Sequence, residues 1–437
     1  MATKTKKTPA PKKGRRAVIV GGLRSPFAKA FSELVKLDTI NLGTQVSNAL
    51  VKKLSLPREE IDSLVWGGVI LPPMTVNIGR EIALDMGLNH VEAFTCTRAC
   101  TSGLQAITIA AANIERGDAD IVIAGGSDST SNAPVALPPK ITQNLGPLVL
   151  GGKASAGDYM AALAQLMPIS EILPRAPKIA ERTTGEVMGE SAERMAERNE
   201  ISREAQDALA AQSHKRAAAA MASGRFDDEV TPIETEAGPV SSDTLVRANT
   251  SEEKLAKLRP VFAKEGTVTA GNASPLTDGA AATVLMSEEK AKALGYTPLA
   301  YIRSCAYAAV DPADQLLIGP AMAMPKALDR AGMKLSDIDI VDMHEAFAAQ
   351  VLSVIKALGS DGFAKSRLGR DSAVGDIDPT SINLHGGSIA IGHPFGATGA
   401  RMVTTMTNEL VASGKNTALL GICAAGGLAA AAVLERA

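Results

Sequence analysis

Aromatic residues, net charge and uninterrupted apolar runs are all scarce in this chain. Only 3% of its 437 residues are aromatic and the formal net charge is −2. Neither a base-stacking platform nor a basic face that follows phosphates is therefore indicated, and we expect no nucleic acid partner. The apolar stretch at 418–434 is interrupted by glycines and by Cys423, so it does not predict a membrane-spanning helix.

Cysteine is also scarce, with four residues at positions 96, 100, 305 and 423. Their spacing fits neither a zinc site nor a disulfide framework, and no metal is predicted. The sequence also shows no apolar core of a signal peptide. We therefore expect a reducing, cytoplasmic location with free thiols.

The charge distribution is uneven only between residues 3 and 16, where seven basic residues occur without an acid. This pattern favours a solvated, disordered tail at 1–16. A targeting peptide or an anchor to anionic lipid is the alternative.

Apolar runs that end in glycines dominate the remainder. Residues 17–20 and 121–124 read as buried strands before glycine turns, and 101–115 reads as a buried helix closed by Gly117. Alternating strands and helices of this kind predict an α/β fold with mainly buried sheets.

Two parts of the chain resemble each other. Residues 54–69 resemble 335–347, and Gly103 and Gly125 (125 − 103 = 22) are spaced like Gly399 and Gly421 (421 − 399 = 22). We infer duplicated halves with a cleft where they meet, and an insertion in the second half at 356–377.

The duplication defines the predicted domains. They are an N-terminal half at 17–150, completed by 261–292, a loop domain at 151–260 and a C-terminal half at 293–437. Within the loop domain, Ser202 is predicted to cap a helix. The apolar segment 160–180 is expected to pack on its own chain or on a sister subunit, and docking to a partner or a membrane is the alternative.

Three residues in glycine-rich surroundings suggest chemistry. Cys100 precedes a helix of small residues, whose dipole would favour a thiolate. His393 lies in a turn that is flanked by Gly392 and Gly396. Cys423 begins another glycine-rich segment, 423–427. A thiolate, a base and a second proton carrier are what carbon–carbon bond making or breaking through a thioester requires.

Six motifs resemble those of the thiolase family, over residues 17–436. They lie at 100–106, 124–134, 266–274, 344–348, 386–394 and 423–427. The resemblance implies a duplicated thiolase fold with a five-layered αβαβα core and an inserted loop domain. It also implies acyl transfer on 3-ketoacyl-CoA substrates.

The resemblance also implies roles for individual residues. Cys100 matches the acylated nucleophile, His393 its base, and Cys423 the acid/base at the α-carbon. The amides of Cys100 and Ala425 match one oxyanion site, and His393 with a water held by His344 matches the other. Most thiolases have asparagine at position 344 and glycine at 425, so these departures resemble a degradative subgroup close to the β-subunit of the trifunctional complex.

Coenzyme A is the implied co-substrate, with no tightly bound cofactor. Five residues match family positions along the pantetheine arm: Met188, Ala270, Ser274, Ala346 and Phe347. The histidines at 90, 214 and 385 match nothing catalytic and are predicted to be structural.

We expect a 3-ketoacyl-CoA thiolase of fatty-acid β-oxidation that works by a ping-pong mechanism through acyl-Cys100. The alternatives are an acetyl-CoA C-acetyltransferase, a decarboxylating ketoacyl synthase and a non-catalytic lipid carrier. A homodimer or homotetramer is implied, paired through the sheet edge of the first half. The sequence leaves open whether the protein forms a complex with a hydratase/dehydrogenase subunit. It also leaves open whether the protein contacts a membrane peripherally.

Overall fold

The computed structural model describes residues 14–173 and 180–437, which form two compact units. The first unit comprises 14–132 and 180–437, and the second comprises 133–173. Most of the predicted tail, residues 1–13, lies outside the described residues. The same holds for 174–179 of the predicted apolar segment.

The first unit contains ten strands. They are β1 (Ala17–Arg24), β2 (Ala28–Lys29), β3 (Ser63–Gly67), β4 (Glu92–Cys96), β5 (Ile121–Ser129), β6 (Thr277–Ser287), β7 (Ala300–Ala309), β8 (Ile340–Met343), β9 (Thr417–Ala424) and β10 (Leu428–Arg436).

Fifteen α-helices occur in the described residues. They are α1 (Thr39–Lys53), α2 (Ile78–Asp85), α3 (Ser102–Arg116), α4 (Pro139–Gly151), α5 (Ala156–Gln165), α6 (Met188–Arg198), α7 (Arg203–Ala222), α8 (Glu252–Leu255), α9 (Glu288–Ala293), α10 (Pro312–Gln315), α11 (Pro320–Ala331), α12 (Ala348–Leu358), α13 (Asp361–Phe363), α14 (Ser388–Ile391) and α15 (Phe395–Ser413). Short 3-10 turns lie at Arg58–Glu60, Thr130–Asn132, Ile169–Glu171 and Leu335–Asp337, and a π turn lies at Ala364–Leu368.

The strands follow the order β4-β3-β5-β6-β1-β7-β10-β9-β8, and β2 pairs with β6. In the first half, β3 runs parallel to β4 and β5, while β6 is antiparallel to β5 and β1. In the second half, β8 runs parallel to β9, while β10 is antiparallel to β9 and β7. The repeat inferred from the sequence thus has a structural counterpart, and β1 joins the halves by pairing with β7.

Helices cover and separate the two halves of the sheet. Helices α3 and α15 pack on each other and contact strands of both halves, so they form the middle layer. Helices α1 and α2 lie on the first half, and α11 lies on the second with α12 against it. The result is the predicted αβαβα arrangement, in which β5, β6 and β9 are buried along their whole length.

The first turns of α3 and α15 approach each other so closely that only glycine fits. A Cβ on Gly103 would lie 2.5 Å from the Gly396 carbonyl oxygen, and one on Gly126 would lie 2.1 Å from the same atom. A Cβ on Gly399 would lie 2.5 Å from the Leu104 nitrogen. Backbone contact therefore fixes the two helix starts relative to each other.

Substitution of Gly126 by alanine should lower stability through this contact. The added methyl group cannot be accommodated without a backbone shift, and we expect a loss of about 1–3 kcal/mol and a lower thermal midpoint. Gly362→Ala is the matched control, because its Cβ would meet nothing closer than the Ser360 hydroxyl at 3.6 Å. Equal thermal midpoints for the two variants would contradict the argument.

In the loop region of the first unit, α7 begins as predicted. The Ser202 hydroxyl accepts from the Ala205 amide at 3.2 Å, which caps the helix. The predicted domain boundaries stay predictions.

The second unit is a helical hairpin in which α4 packs on α5. The Lys140 ammonium pairs with the Glu171 carboxylate at 2.6 Å, and Ser155 caps α5. Apolar side chains are well exposed, with Leu150 at 89% and Met160 at 67%. None of the helices in the described residues is both long and apolar enough to cross a bilayer. The predicted packing of 160–180 stays a prediction.

Candidate active site

Cys100 lies in a tight turn between β4 and α3. Ala99 just before it has a φ of 46°, in the left-handed region. Residues other than glycine rarely adopt this conformation. Hydrogen bonds hold this turn: the Ser102 hydroxyl accepts from the Arg98 amide at 2.8 Å, and the Thr101 hydroxyl donates to the Arg98 carbonyl at 2.8 Å. The nucleophile predicted from the sequence therefore precedes α3 on a rigid backbone. The residue as a whole is partly exposed, while its sulfur atom is enclosed by protein.

Cys423 comes near the end of β9 and is 1% exposed. The turn after it contains Gly426 and Gly427, both at positive φ. This turn directs the Ala425 amide to the Cys100 sulfur, with which it forms a hydrogen bond. The two thiols are close enough for Cys100 to raise the pKa of Cys423. Two residues 323 positions apart (423 − 100) thus share one site.

His393 is held by hydroxyl groups on either side. Its amide donates to the Thr277 hydroxyl at 3.0 Å, and its Nδ1 bonds to the Thr398 hydroxyl at 2.7 Å. The Phe395 ring lies edge-on at 5.1 Å. The Nε2 atom is left for chemistry at the site.

His344 follows β8 and is completely buried. Its ring centroid lies 4.1 Å from that of His393. Its Nδ1 is 2.9 Å from the Ser388 hydroxyl, while its Nε2 has no hydrogen-bond partner in 14–173 or 180–437. A buried ring nitrogen without a partner points to a contact that a substrate or a water supplies.

Burial makes all four reactive groups neutral at rest. It raises the pKa of the Cys100 thiol to about 12, although the Ala425 amide opposes this, and burial together with the charge of Cys100 raises the pKa of Cys423 well above its usual value. Burial and the Arg401 charge lower the pKa of His393 to about 3, and burial with the charges of His393 and Arg401 lowers that of His344. The expected thiolate at the helix start is therefore wrong for the resting molecule, because desolvation outweighs the favourable amides.

Asp128 is a buried neighbour that the motif reading did not single out. Its carboxylate accepts from the amides of Ile70 and Gly396, both at 2.6 Å, and so ties the β3 loop to the start of α15. Burial raises the pKa of Asp128 to about 7, and its charge contributes to the raised pKa of Cys100. Asp128 lies inside the motif at 124–134, but its contacts could not be predicted from the sequence because its partners lie 58 and 268 residues away (128 − 70 and 396 − 128).

The raised pKa of Cys100 predicts a pH profile for its alkylation. Without substrate, the rate of iodoacetamide labelling at Cys100 should rise about tenfold per pH unit from pH 7 to 10, because only the thiolate reacts. An unperturbed thiol would level off near its pKa of about 8.5. Mass spectrometry of the Cys100 peptide measures the rate, with Cys100→Ser as the blank, and a plateau below pH 8 would argue against a buried neutral thiol.

Four of the five predicted pantetheine residues adjoin one another. Ala273 forms a backbone bridge with Phe347, and the Ser274 amide donates to the Ala346 carbonyl at 2.9 Å. A cleft beside them is lined by Ala270, Ala273, Leu245, Arg247, His214 and Ile389, among others. The fifth residue, Met188, packs against the same apolar cluster as Phe347.

Arg247 in this cleft was missed from the sequence, because an arginine in a polar segment gives no distinguishing signal. His214, predicted to be structural, lines the cleft. Its Nδ1 accepts from the Arg247 amide at 3.2 Å, and burial lowers its pKa to about 4. His385 pairs with Glu409 at 2.6 Å. Among the described residues, no group of three histidine, cysteine or acidic side chains is arranged to hold a metal ion.

Comparison with known proteins identifies the family. The model of the thiolase N-terminal domain matches residues 17–289, and that of the thiolase C-terminal domain matches 296–436. The chain belongs to the thiolase family of acyltransferases. This confirms the family and the fold predicted from the sequence.

Individual relatives cover almost the whole chain. The 3-ketoacyl-CoA thiolases of Yersinia pestis (strain Pestoides F) and Yersinia pseudotuberculosis serotype O:1b (strain IP 31758) are each 45% identical over 430 residues, covering 97% of this chain and 98% of the relative. The crystal structure of the Bacillus anthracis acetyl-CoA acetyltransferase is similar with a TM-score of 0.81 and 34% identity. The structural match covers 97% of this chain and 99% of the Bacillus anthracis chain.

Proposed function

We propose that the chain is a 3-ketoacyl-CoA thiolase, which cleaves 3-ketoacyl-CoA with coenzyme A in fatty-acid β-oxidation. The observation that carries the proposal is the position of Cys100. It lies close to Cys423, and its sulfur accepts a hydrogen bond from the Ala425 amide. A lone nucleophile would suffice for simple acyl transfer. A second thiol beside it suits a reaction that also moves a proton at carbon.

In the first half-reaction, the Cys100 sulfur attacks the 3-keto carbon and its proton passes to His393 Nε2. The bond between the α- and β-carbons breaks, which leaves an acyl thioester on Cys100 and the enolate of acetyl-CoA. The Cys423 thiol protonates the enolate carbon. The neutral resting states of His393 and Cys423 suit these roles, because one must accept a proton and the other must donate one.

In the second half-reaction, the coenzyme A thiol attacks the acyl-Cys100 thioester. The coenzyme A thiol gives its proton to the Cys423 thiolate that the first half-reaction left. The carbon–sulfur bond to Cys100 breaks, the shortened acyl-CoA leaves, and the proton held on His393 Nε2 returns to the Cys100 sulfur. The free enzyme is thereby restored. Coenzyme A is a substrate in this scheme, and no other cofactor enters it.

Two oxyanions arise along this path. We assign the amides of Cys100 and Ala425 to the oxygen of the acyl-Cys100 thioester, and the His393 and His344 rings to the thioester oxygen of the acetyl-CoA enolate. Donors that are already in position at a buried site stabilise such charge strongly. The cleft that Ala270 and its neighbours line is the proposed path of the pantetheine arm. Apolar residues such as Leu245 and Ile389 line it together with the polar side chains of His214, Arg247 and Thr250.

The proposed assembly is a homodimer or homotetramer in the cytoplasm. Strand β4 ends the sheet of the first half, so one of its edges has no neighbouring strand in the described chain. Pairing of this edge with a second copy would extend the sheet and satisfy its backbone groups. Association with a hydratase/dehydrogenase subunit remains a prediction from His344 and Ala425.

Chain-length preference tests the proposal. We expect kcat/KM for thiolysis of a long 3-ketoacyl-CoA to exceed that for acetoacetyl-CoA. The opposite preference would indicate an acetyl-CoA C-acetyltransferase, the second candidate, which the similarity to the Bacillus anthracis enzyme favours. Condensation that requires a malonyl thioester, with no thiolysis, would indicate a ketoacyl synthase instead.

A further inference from the structure

Next to the two imidazoles, whose planes are tilted by 43°, lies a buried polar chain of which the proposed steps use only His344. The Arg401 guanidinium donates from Nη2 to the Ser388 hydroxyl at 3.3 Å, and that hydroxyl lies 2.9 Å from His344 Nδ1. Arg401 faces Asp342 at 3.8 Å. All four side chains are nearly or completely buried, so water does not exchange for any of these partners.

The direction of the bond between Ser388 and His344 follows from what each group can do. An arginine only donates, so the Ser388 oxygen accepts from Arg401. The single hydroxyl proton of Ser388 then forms a hydrogen bond to His344 Nδ1. The positive charge of Arg401 favours this orientation, because it points the proton away from the guanidinium. In this arrangement Nδ1 accepts, and the ring proton of the neutral imidazole lies on Nε2.

The opposite tautomer leaves more groups unsatisfied. If Nδ1 carried the proton, the Ser388 oxygen would accept twice and its own hydroxyl proton would have no acceptor among the described residues. The Nε2 lone pair would also be unpaired. Each unpaired buried polar group costs free energy. The Nε2–H tautomer leaves one such group and the Nδ1–H tautomer leaves two, so the Nε2–H tautomer is preferred.

We propose that Ser388, oriented by Arg401, is a positioning residue that holds His344 as the Nε2–H tautomer. The ring then offers a fixed donor on the side of the site where His393 lies, 4.1 Å away between centroids. Whether the bond reaches the substrate directly or through one water, the donated proton comes from Nε2. The role of that donor at an oxyanion rests on the proposed function.

The tautomer can be measured on the full-length protein with ¹⁵N-labelled histidine. Long-range ¹H–¹⁵N correlations distinguish the two neutral tautomers, and the His344 signals are assigned by their loss in His344→Asn. We expect the Nε2–H pattern in the unsubstituted protein and in Ser388→Thr, which keeps the hydroxyl. In Ser388→Ala we expect a mixture of tautomers or the Nδ1–H form.

Kinetics give the second readout. Ser388→Ala should lower kcat for thiolysis by about 10²-fold, as loss of a positioned oxyanion donor does, with KM changed only a few-fold. Ser388→Thr should restore most of kcat. Ser353→Ala is the matched control, since it removes an equally buried hydroxyl whose contact is a 3.5 Å bond to the Met195 carbonyl, and its kcat should be unchanged.

A proton on Nδ1 in the unsubstituted protein would overturn the inference, as would Ser388→Ala with unchanged tautomer and kcat. If Ser388→Ala fails to fold, the spectrum of the unsubstituted protein still decides. Absence of thiolysis in the unsubstituted protein would overturn the proposed function, while the tautomer measurement would stand independently.

Discussion

Replacement of Cys100 by serine should abolish formation of an acyl-enzyme and lower thiolysis at least about 10³-fold, as expected when a nucleophile is removed. The serine hydroxyl is similar in size but far less acidic, and the neutral His393, its proposed base, is weak because burial lowers its pKa. A site that disfavours ionisation of a thiol would disfavour ionisation of an alcohol much more strongly. Intact-protein mass spectrometry after incubation with a 3-ketoacyl-CoA measures the acyl adduct.

Cys305→Ser provides the control, because Cys305 is a partly buried thiol on β7 with no place in the proposed site. It should keep both the adduct and the rate. An acyl adduct that persists in Cys100→Ser would remove Cys100 from its assigned role, and peptide mapping would then identify the residue that carries the acyl group.

Replacement of Cys423 by alanine should separate the two halves of the chemistry. Acylation of Cys100 by a simple thioester such as acetyl-CoA needs no proton at carbon, so it should survive. Thiolysis and condensation both need that proton transfer, and we expect them to fall by about 10²–10⁴-fold, the usual contribution of a general acid/base.

Two assays on the same preparation decide this prediction. The first is the exchange of labelled coenzyme A into acetyl-CoA, which reports acylation alone. The second is the thiolysis of a 3-ketoacyl-CoA, which reports both events. Loss of exchange and thiolysis to the same degree would assign Cys423 to acylation or to structure rather than to proton transfer at carbon.

The strands and helices were largely readable from the sequence. The apolar runs at 17–20 and 121–124 lie in β1 and β5, and the helix predicted at 101–115 is α3, Ser102–Arg116. Each of these has a strong local signal, namely a buried apolar run that ends in glycine. The glycine at 117 adopts φ 85° and closes α3 as expected for a left-handed cap.

The electrostatics of the site were not readable in this way. A helix start favours a thiolate, but the burial of Cys100 reverses the sign of the pKa shift, and burial is a tertiary property. Asp128, Ser388 and Arg401 meet the site through partners that lie far away in the sequence. Asp128 and Ser388 lie inside the motifs at 124–134 and 386–394, but the motifs do not indicate which distant groups these side chains contact.

The backbone contact between α3 and α15 bears on how one chain came to hold two different thiols. Gly103 corresponds to Gly399 in the repeat, at an offset of 399 − 103 = 296. With the same offset, Cys100 corresponds to Gly396 (396 − 100 = 296), and Cys423 corresponds to Ser127 (423 − 127 = 296). An exactly symmetric pair of halves would carry a cysteine at both positions, whereas this chain has Cys100 at one and Gly396 at the other. Because the matching positions carry different residues, the duplicated frame holds one acylated nucleophile and one separate proton carrier instead of two identical sites.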